Sequence, residues 1–299
     1  MLDNADQHRD LSIQKMKVQL FLSFQFIFSF ITSLPLFINH VKSDSSSVMI
    51  SSVIFMMTPL ISVLIIRRVI PDKSHFYLKF QLKKQLNLYL FAAFSPGALT
   101  AIGAIIYFMI YPDKLDLNHS YLQDLLKEYE KELFLPQFTP TILIGMTLSC
   151  IFIAPLIFVN HIAAFGEEIG WRCFLLPLLI DLHGKKKAVF ICNFLWGAFH
   201  APLVYFGLNY SGDYFLCPWS GMLMMSFFGL VLGIPLSYLT LKTKSVFPAC
   251  IFHGAFNAIR EVPLFLCTSD FNPLIGPKPS GLIGMIGFIL LAFLLFRKI

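Results

Sequence analysis

The sequence predicts an all-α, polytopic membrane protein with about eight transmembrane helices. Two observations predict it. The hydrophobic share is 57% and the charged share only 13%, whereas soluble domains carry about 25% charged residues. The chain also contains eight apolar runs of roughly the length that crosses a bilayer, about 20 residues. This composition excludes a soluble enzyme, a disordered chain and a secreted disulfide scaffold. Residues 1–299 are therefore predicted to form one integral-membrane domain.

The predicted spans follow the apolar runs in chain order. They are Val18–Ile38, Val48–Ile66, Leu88–Ile110, Thr141–Phe165, Ala188–Phe206, Gly221–Leu241, Phe247–Leu266 and Gly281–Phe296. The longest polar insert, residues 111–138, has apolar residues at helical spacing between mixed charges. That pattern predicts an amphipathic helix on the non-cytoplasmic surface.

The basic residues alternate between the loops. Sixteen of the 23 fall in the two termini and in every second connection, and five fall on the opposite side. Because cytoplasmic loops are rich in Lys and Arg, both termini are predicted to be cytoplasmic. The membrane is a bacterial inner membrane or, in a eukaryote, that of the endoplasmic reticulum. The net charge of +6 is thus a topology signal and predicts no nucleic-acid partner. The six cysteines form no C-x-x-C pair and predict apolar packing, not disulfides.

Three clusters of polar residues lie where hydrocarbon is expected, and such residues are functional candidates by default. The first is Glu167-Glu168 with Arg172. Glu168 and Arg172 stand at i, i+4 and can pair on one helix face. Glu167 points about 100° away, free to face a cavity. A carboxylate there can take a proton from water and return it.

The second and third clusters each place two polar or aromatic residues on one face of a helix. Trp196 and His200 stand at i, i+4 in the fifth span, and His253 and Asn257 in the seventh. Together with the carboxylates they supply a general base, oxyanion donors and an orienting ion pair. Two His and one Glu are also a set of zinc ligands. With Glu167 near the cytoplasmic end of the fourth span, these clusters are expected to meet in the cytoplasmic half of the bilayer.

These motifs resemble those of the CAAX protease and bacteriocin-processing (CPBP, or Abi) intramembrane protease family, to which type II CAAX prenyl endopeptidases belong. The resemblance rests on Glu-Glu-x-x-x-Arg, aromatic-x-x-x-His and His-x-x-x-Asn in that order, and on the stretch Gly229–His253. It covers residues 141–260, a catalytic core in spans four to seven. Trp196 departs from the family's usual Phe.

The resemblance implies an intramembrane endopeptidase with a conical cavity open to the cytosol. Glu167 would activate the attacking water, His200 would help to hold it, and His253 with Asn257 would stabilise the oxyanion. Glu168, Arg172 and Trp196 would support them. The substrate would be a membrane-tethered or lipidated peptide. The family is described as metal-dependent, and a divalent metal such as zinc on Glu167, His200 and His253 is compatible with these residues. Because an amide is a poor zinc ligand, a metal-free glutamate mechanism is the expectation.

Other functions have weaker support. The chain has no H-E-x-x-H and no G-x-G-D, which argues against site-2-type zinc and presenilin-like aspartyl proteases. Embedded Glu, His and Arg also serve proton-coupled transporters, but the helix-breaking prolines do not occur in matching halves. A non-catalytic module, for bacteriocin immunity or as a scaffold, stays open as an alternative.

Overall fold

The computed structural model describes residues 4–38, 45–71, 77–118, 120–121, 123–124 and 139–299. This part of the chain is helical, with a single isolated bridge between Leu115 and Cys267, which confirms the all-α fold class. The helices are α1 (Asn4–Ile38), α2 (Ser45–Val69), α3 (Leu82–Ile110), α4 (Pro140–Ile153), α5 (Phe158–Glu168), α6 (Leu176–His183), α7 (Lys185–Ala198), α8 (Ala201–Tyr205), α9 (Trp219–Thr243), α10 (Phe247–Ile259) and α11 (Ile286–Phe296).

Five helical segments among the described residues are long and apolar enough to cross a membrane, or six when one bent pair is counted as a span. The predicted number of eight is therefore not confirmed. The difference lies in the last two predicted spans. α10 has 13 residues and α11 has 11. At 1.5 Å per residue each is about 16–20 Å long, shorter than the hydrocarbon core of about 30 Å.

The fourth predicted span ends in the wrong place. It was expected to stop at Phe165, but the helix continues through α5, a π-helical turn (Ile169–Leu175) and α6 to His183. The break lies earlier, at Ala154–Leu156, where the two halves bend by 58°. Pro155 cannot continue the hydrogen-bond ladder, and Nε2 of His161 binds its carbonyl at 2.8 Å. Glu167 consequently lies within a long helix and not at its end.

The core is built on close contacts between α7 and α9. A Cβ atom added to Gly229 would lie 2.4 Å from the Cα of Gly197, and one added to Gly233 would strike the Asn193 side chain. Glycine at these positions lets the two backbones approach, as small residues do in membrane proteins. The antiparallel pair holds Trp196 and Asn193 against the interior.

The end of α7 is fixed from another helix. Ser29 of α1 donates a hydrogen bond to the carbonyl of Phe199 at 2.6 Å, where the turn before α8 leaves that carbonyl without a helical donor. Phe55 of α2 stacks on Phe199, with ring centroids 4.2 Å apart. His200 follows immediately, so α1 and α2 together fix the backbone that carries it.

Two further expectations concern the loops and the cysteines. The insert at 111–138 lies largely outside the described residues, so its amphipathic helix stays a prediction. All six cysteines are free, as the sequence predicts. Cys217 is the exposed one among them, in the loop between α8 and α9.

Candidate active site

The two adjacent glutamates are both buried, with side chains aimed at different partners. Glu168 lies 3.2 Å from Nη1 and from Nε of Arg172, which confirms the predicted i, i+4 ion pair. Both of these side chains are completely buried. A buried ion pair is tolerated only when its remaining polar atoms are bound as well, so the surroundings of Arg172 decide whether this pair is stable.

Arg172 is held by a network from α7 and α9. Its guanidinium lies over the ring of Trp196, 4.2 Å from the centroid, and its Nη2 donates to Oδ1 of Asn193 at 3.1 Å. Nδ2 of Asn193 donates in turn to Ser237 at 3.0 Å. Sequence reasoning missed Asn193 and Ser237. A signal existed: Asn193 is an amide inside an apolar run and lies one turn before Trp196.

Glu167 accepts a hydrogen bond from the indole N–H of Trp196 at 2.5 Å. The same indole packs against both candidate histidines, edge to face. Its ring centroid lies 5.9 Å from that of His200 and 5.3 Å from that of His253. Trp196 therefore contacts every ionisable residue of the three motifs except Glu168. A phenylalanine here could pack in the same way but could not donate to Glu167.

His200 has a defined tautomer. Its Nδ1 lies 2.9 Å from the carbonyl oxygen of Trp196. A carbonyl can only accept, so Nδ1 carries the hydrogen, and in the neutral ring Nε2 is an acceptor. The ring also contacts Phe55 and Phe199, each with centroids 5.2 Å away. His200 thus offers a lone pair from a fixed position.

His253 is tied to the ion pair. Its Nδ1 lies 2.9 Å from Oε1 of Glu168, a contact that sequence spacing could not predict because the residues are 85 positions apart. The carboxylate accepts, so Nδ1 donates and Nε2 is left for another partner. The next residue, Gly254, lets α10 approach α5 closely, because a Cβ atom on residue 254 would clash with the ring of His161.

One cavity of about 220 Å³ brings the candidate residues together. Its wall includes Glu167, His200, His253 and Asn257. The sequence predicted that these side chains from three helices would meet, and they do. Their chemical roles stay predictions.

The cavity wall also includes residues that the sequence analysis did not place there. Asn209 and Arg260 line it, and Nη1 of Arg260 donates to Oδ1 of Asn209 at 3.0 Å. Lys278 donates to the backbone carbonyl of Asn209 at 3.0 Å and pairs with Glu261 at 3.2 Å. Arg260 pairs with Glu261, and it also lines the wall of the cavity.

The side chains do not fit the zinc site that was considered. Among the described residues, no three His, Cys, Asp or Glu side chains converge as metal ligands. We therefore derive no step through a metal.

Fold and site together define a polytopic helical membrane protein with a buried acid–histidine cavity. Residues 149–259 match the family model described as type II CAAX prenyl endopeptidase Rce1-like. The chain is also 31% identical over 122 residues to the CAAX prenyl protease 2 of Methanococcus maripaludis, a match covering 40% of this chain and 44% of that protein. Over this segment the chain is thus similar to the type II CAAX prenyl endopeptidases. The aligned part spans less than half the length of this curated relative.

Proposed function

We propose that the chain is an intramembrane endopeptidase that hydrolyses a peptide bond in a membrane-tethered or lipidated substrate, with Glu167 as the general base. The observation that carries the proposal is the division between the two glutamates. Glu168 is bound to Arg172 and His253, whereas Glu167 lines the cavity with His200, His253 and Asn257. A carboxylate on a cavity wall beside a histidine acceptor can bind and polarise a water molecule.

The proposed chemistry follows from the fixed donors and acceptors. A water donates one hydrogen to Glu167 and the other to Nε2 of His200, which leaves its lone pair for the scissile carbonyl. Glu167 takes the first proton as the carbon–oxygen bond forms. The same proton then passes to the leaving amine as the carbon–nitrogen bond breaks, so Glu167 ends each cycle as a carboxylate.

The negative oxygen formed at the carbonyl needs donors. The amide of Asn257 can supply one, and Nε2 of His253 can supply another when the ring is doubly protonated. In that form Glu167, Glu168, Arg172 and His253 carry no net charge together, which suits a buried site. Preorganised donors of this kind contribute about 10²–10³ to the rate each.

The test is cleavage of a fluorogenic peptide by the purified chain in detergent, where both faces of the protein are accessible. Prenylated Cys-a-a-X and acyl-anchored peptides serve as probes, each with and without a strong chelator. Glu167→Gln is expected to lower kcat by about 10²–10⁴-fold, with Tm unchanged. The matched control is Asp181→Asn, an exposed carboxylate on the same long helix, which keeps its activity.

Each result decides one part of the proposal. Cleavage that survives Glu167→Gln excludes the proposed mechanism. Loss of activity with the chelator, reversed by zinc, would mean that a metal is required after all. A folded wild-type chain that cleaves neither probe supports the alternative of a non-catalytic membrane module.

A further inference from the structure

The described basic residues gather at one end of the helix bundle. Fifteen of them lie at this end, either in the first half of α1 or at the ends of the other helices and in their connections. Three lie at the opposite end. The fifteen are Arg9, Lys15, Lys17, Arg67, Arg68, Lys79, Lys83, Lys84, Lys185, Lys186, Lys187, Lys242, Lys244, Arg297 and Lys298. Such a bias marks the cytoplasmic side of a membrane protein.

Contacts between elements confirm that these ends lie together. The backbone N–H of Val246, after α9, donates to the carbonyl of Tyr77, before α3, at 2.8 Å. Lys244 lies over the ring of Tyr77 at 5.4 Å. Gln25 of α1 donates to Ser62 of α2 at 2.5 Å and lies 3.4 Å from the carbonyl of Thr58, so the preceding turns of α1 run beside the last turns of α2. We call this end of the bundle the lysine end.

On α5–α6 and on α7 the candidate residues lie many residues from the lysines. Glu167 is 16 residues from His183, where its helix stops, and at 1.5 Å per residue this is about 24 Å. His200 is 15 residues from Lys185, about 22 Å by the same rise. The site is closer to the lysine end on α10, where His253 is nine residues from Lys244, about 14 Å at the same rise. It therefore lies inside the bundle, and its direction of opening has to be taken from the cavity. The end of the fourth helix, predicted at Phe165, lies at His183 in the structure.

The cavity also leads away from the lysine end. It includes Arg260, just beyond the end of α10, and Asn209, in the loop after α8. Asn209 also lines a second, polar cavity of about 480 Å³ with Asp213, Asp270 and Lys278. Asp270 of that wall accepts a hydrogen bond from Lys114 at 2.7 Å, and this bond lowers the pKa of the Asp270 carboxyl. The site and this charged groove thus share Asn209 on their walls, at the end opposite the lysines.

The geometry points to a site that faces the non-cytoplasmic side of the membrane, with a membrane-anchored peptide exposed on that side as its substrate. The substrate part of this inference rests on the proposed peptidase function, and the orientation does not. A prenylated Cys-a-a-X terminus is a membrane-anchoring signal, and it would have to reach the site on the lysine-poor face. The fitting substrate has an apolar anchor in the bilayer and a polar stretch in the groove.

The orientation of the protein in the membrane can be measured by labelling a cysteine that the chain already contains. Cys217 is exposed on the loop that carries the groove, whereas the other five cysteines are buried or half-buried. A membrane-impermeant maleimide is expected to label the wild-type chain in intact spheroplasts and not Cys217→Ser. In the Cys217→Ser background, Ser211→Cys should label in the same way, and Lys186→Cys only after permeabilisation. Labelling of Cys217 and Ser211→Cys only after permeabilisation would overturn the orientation.

The substrate is tested separately, in membrane vesicles of known orientation. A quenched fluorogenic peptide with two acyl chains, which anchor it stably, is added to right-side-out and to inside-out vesicles. We expect cleavage at least tenfold faster in right-side-out vesicles, and none in either with Glu167→Gln. Faster cleavage in inside-out vesicles would overturn the substrate assignment. If neither preparation cleaves while Cys217 is labelled from outside, the proposed function fails and the orientation stands.

Discussion

Glu167 and Glu168 are neighbours in the chain and equally buried, yet they belong to two different regions of the molecule. Glu168 lies in a region rich in polar partners, where Arg172, His253, Asn193 and Ser237 form one network. Glu167 lies on the wall of a cavity beside it. The difference teaches that burial alone does not identify a reactive carboxylate. The hydrogen-bond and ion-pair partners of each carboxylate do identify it. They separate a region that maintains structure from one that is available for chemistry.

Removal of the arginine tests the structural region most strongly. Arg172→Met leaves the Glu168 charge buried without its guanidinium, which costs about 3–5 kcal/mol when a buried pair loses one member. We expect a Tm in detergent lower by many degrees, measured by differential scanning fluorimetry. The double variant Glu168→Gln with Arg172→Met removes both charges and should recover part of this loss. A wild-type Tm for Arg172→Met would contradict the role given to the network.

The amide of Asn257 tests the cavity region. Asn257→Ala removes a proposed oxyanion donor from the cavity wall, and loss of such a donor lowers kcat by about 10²–10³-fold. Tm should stay close to that of the wild type because the residue is half-buried. Asn160→Ala is the matched control, since Asn160 is another amide on the wall of the same cavity. Equal losses of kcat in both variants would point to a change in cavity shape and not to a specific donor.

The indole of Trp196 links the two regions. Trp196→Phe keeps an aromatic ring beneath Arg172 but removes the N–H that binds Glu167. A hydrogen bond to a charged group contributes about 1.5–3 kcal/mol, so kcat is expected to fall by about 10–100-fold with KM little changed. The control is Trp171→Phe, a buried indole packed against Phe21 and Phe199. A loss that appears in KM alone would argue against a positioning role for Trp196.

How much the sequence could predict depended on distance along the chain. The ion pair of Glu168 with Arg172 follows from helical spacing alone. The meeting of His200, His253 and Asn257 with Glu167 follows from the rule that polar residues inside membranes need partners. The contact of His253 with Glu168 and the contribution of Asn193 needed the packing of α7, α9 and α10, which no local pattern contains.

The end of the fourth span was predicted wrongly for a specific reason. The hydropathy of the fourth span falls at Glu167, Glu168 and Arg172, so a sequence reading ends the helix there. In the structure these charges satisfy one another inside the bundle, and the apolar residues after them continue the helix to His183. The charged residues of the candidate site are therefore the reason why the helix end was predicted too early. Gly184, with a φ of 76°, marks the real end, since that backbone region favours glycine.

The smallest expected effect concerns the outermost member of the network. Ser237→Ala removes the acceptor for Nδ2 of Asn193 and leaves a buried amide hydrogen without this partner, which costs about 1–2 kcal/mol. Tm should fall by a few degrees while kcat changes less than about twofold, because Ser237 does not line the cavity. Ser226→Ala, on the same helix, removes only a bond to the carbonyl of Met222 and should be nearly silent. If Ser237→Ala lowered kcat as strongly as Trp196→Phe, the two regions would not be separable, and the network would have to be counted as part of the chemistry.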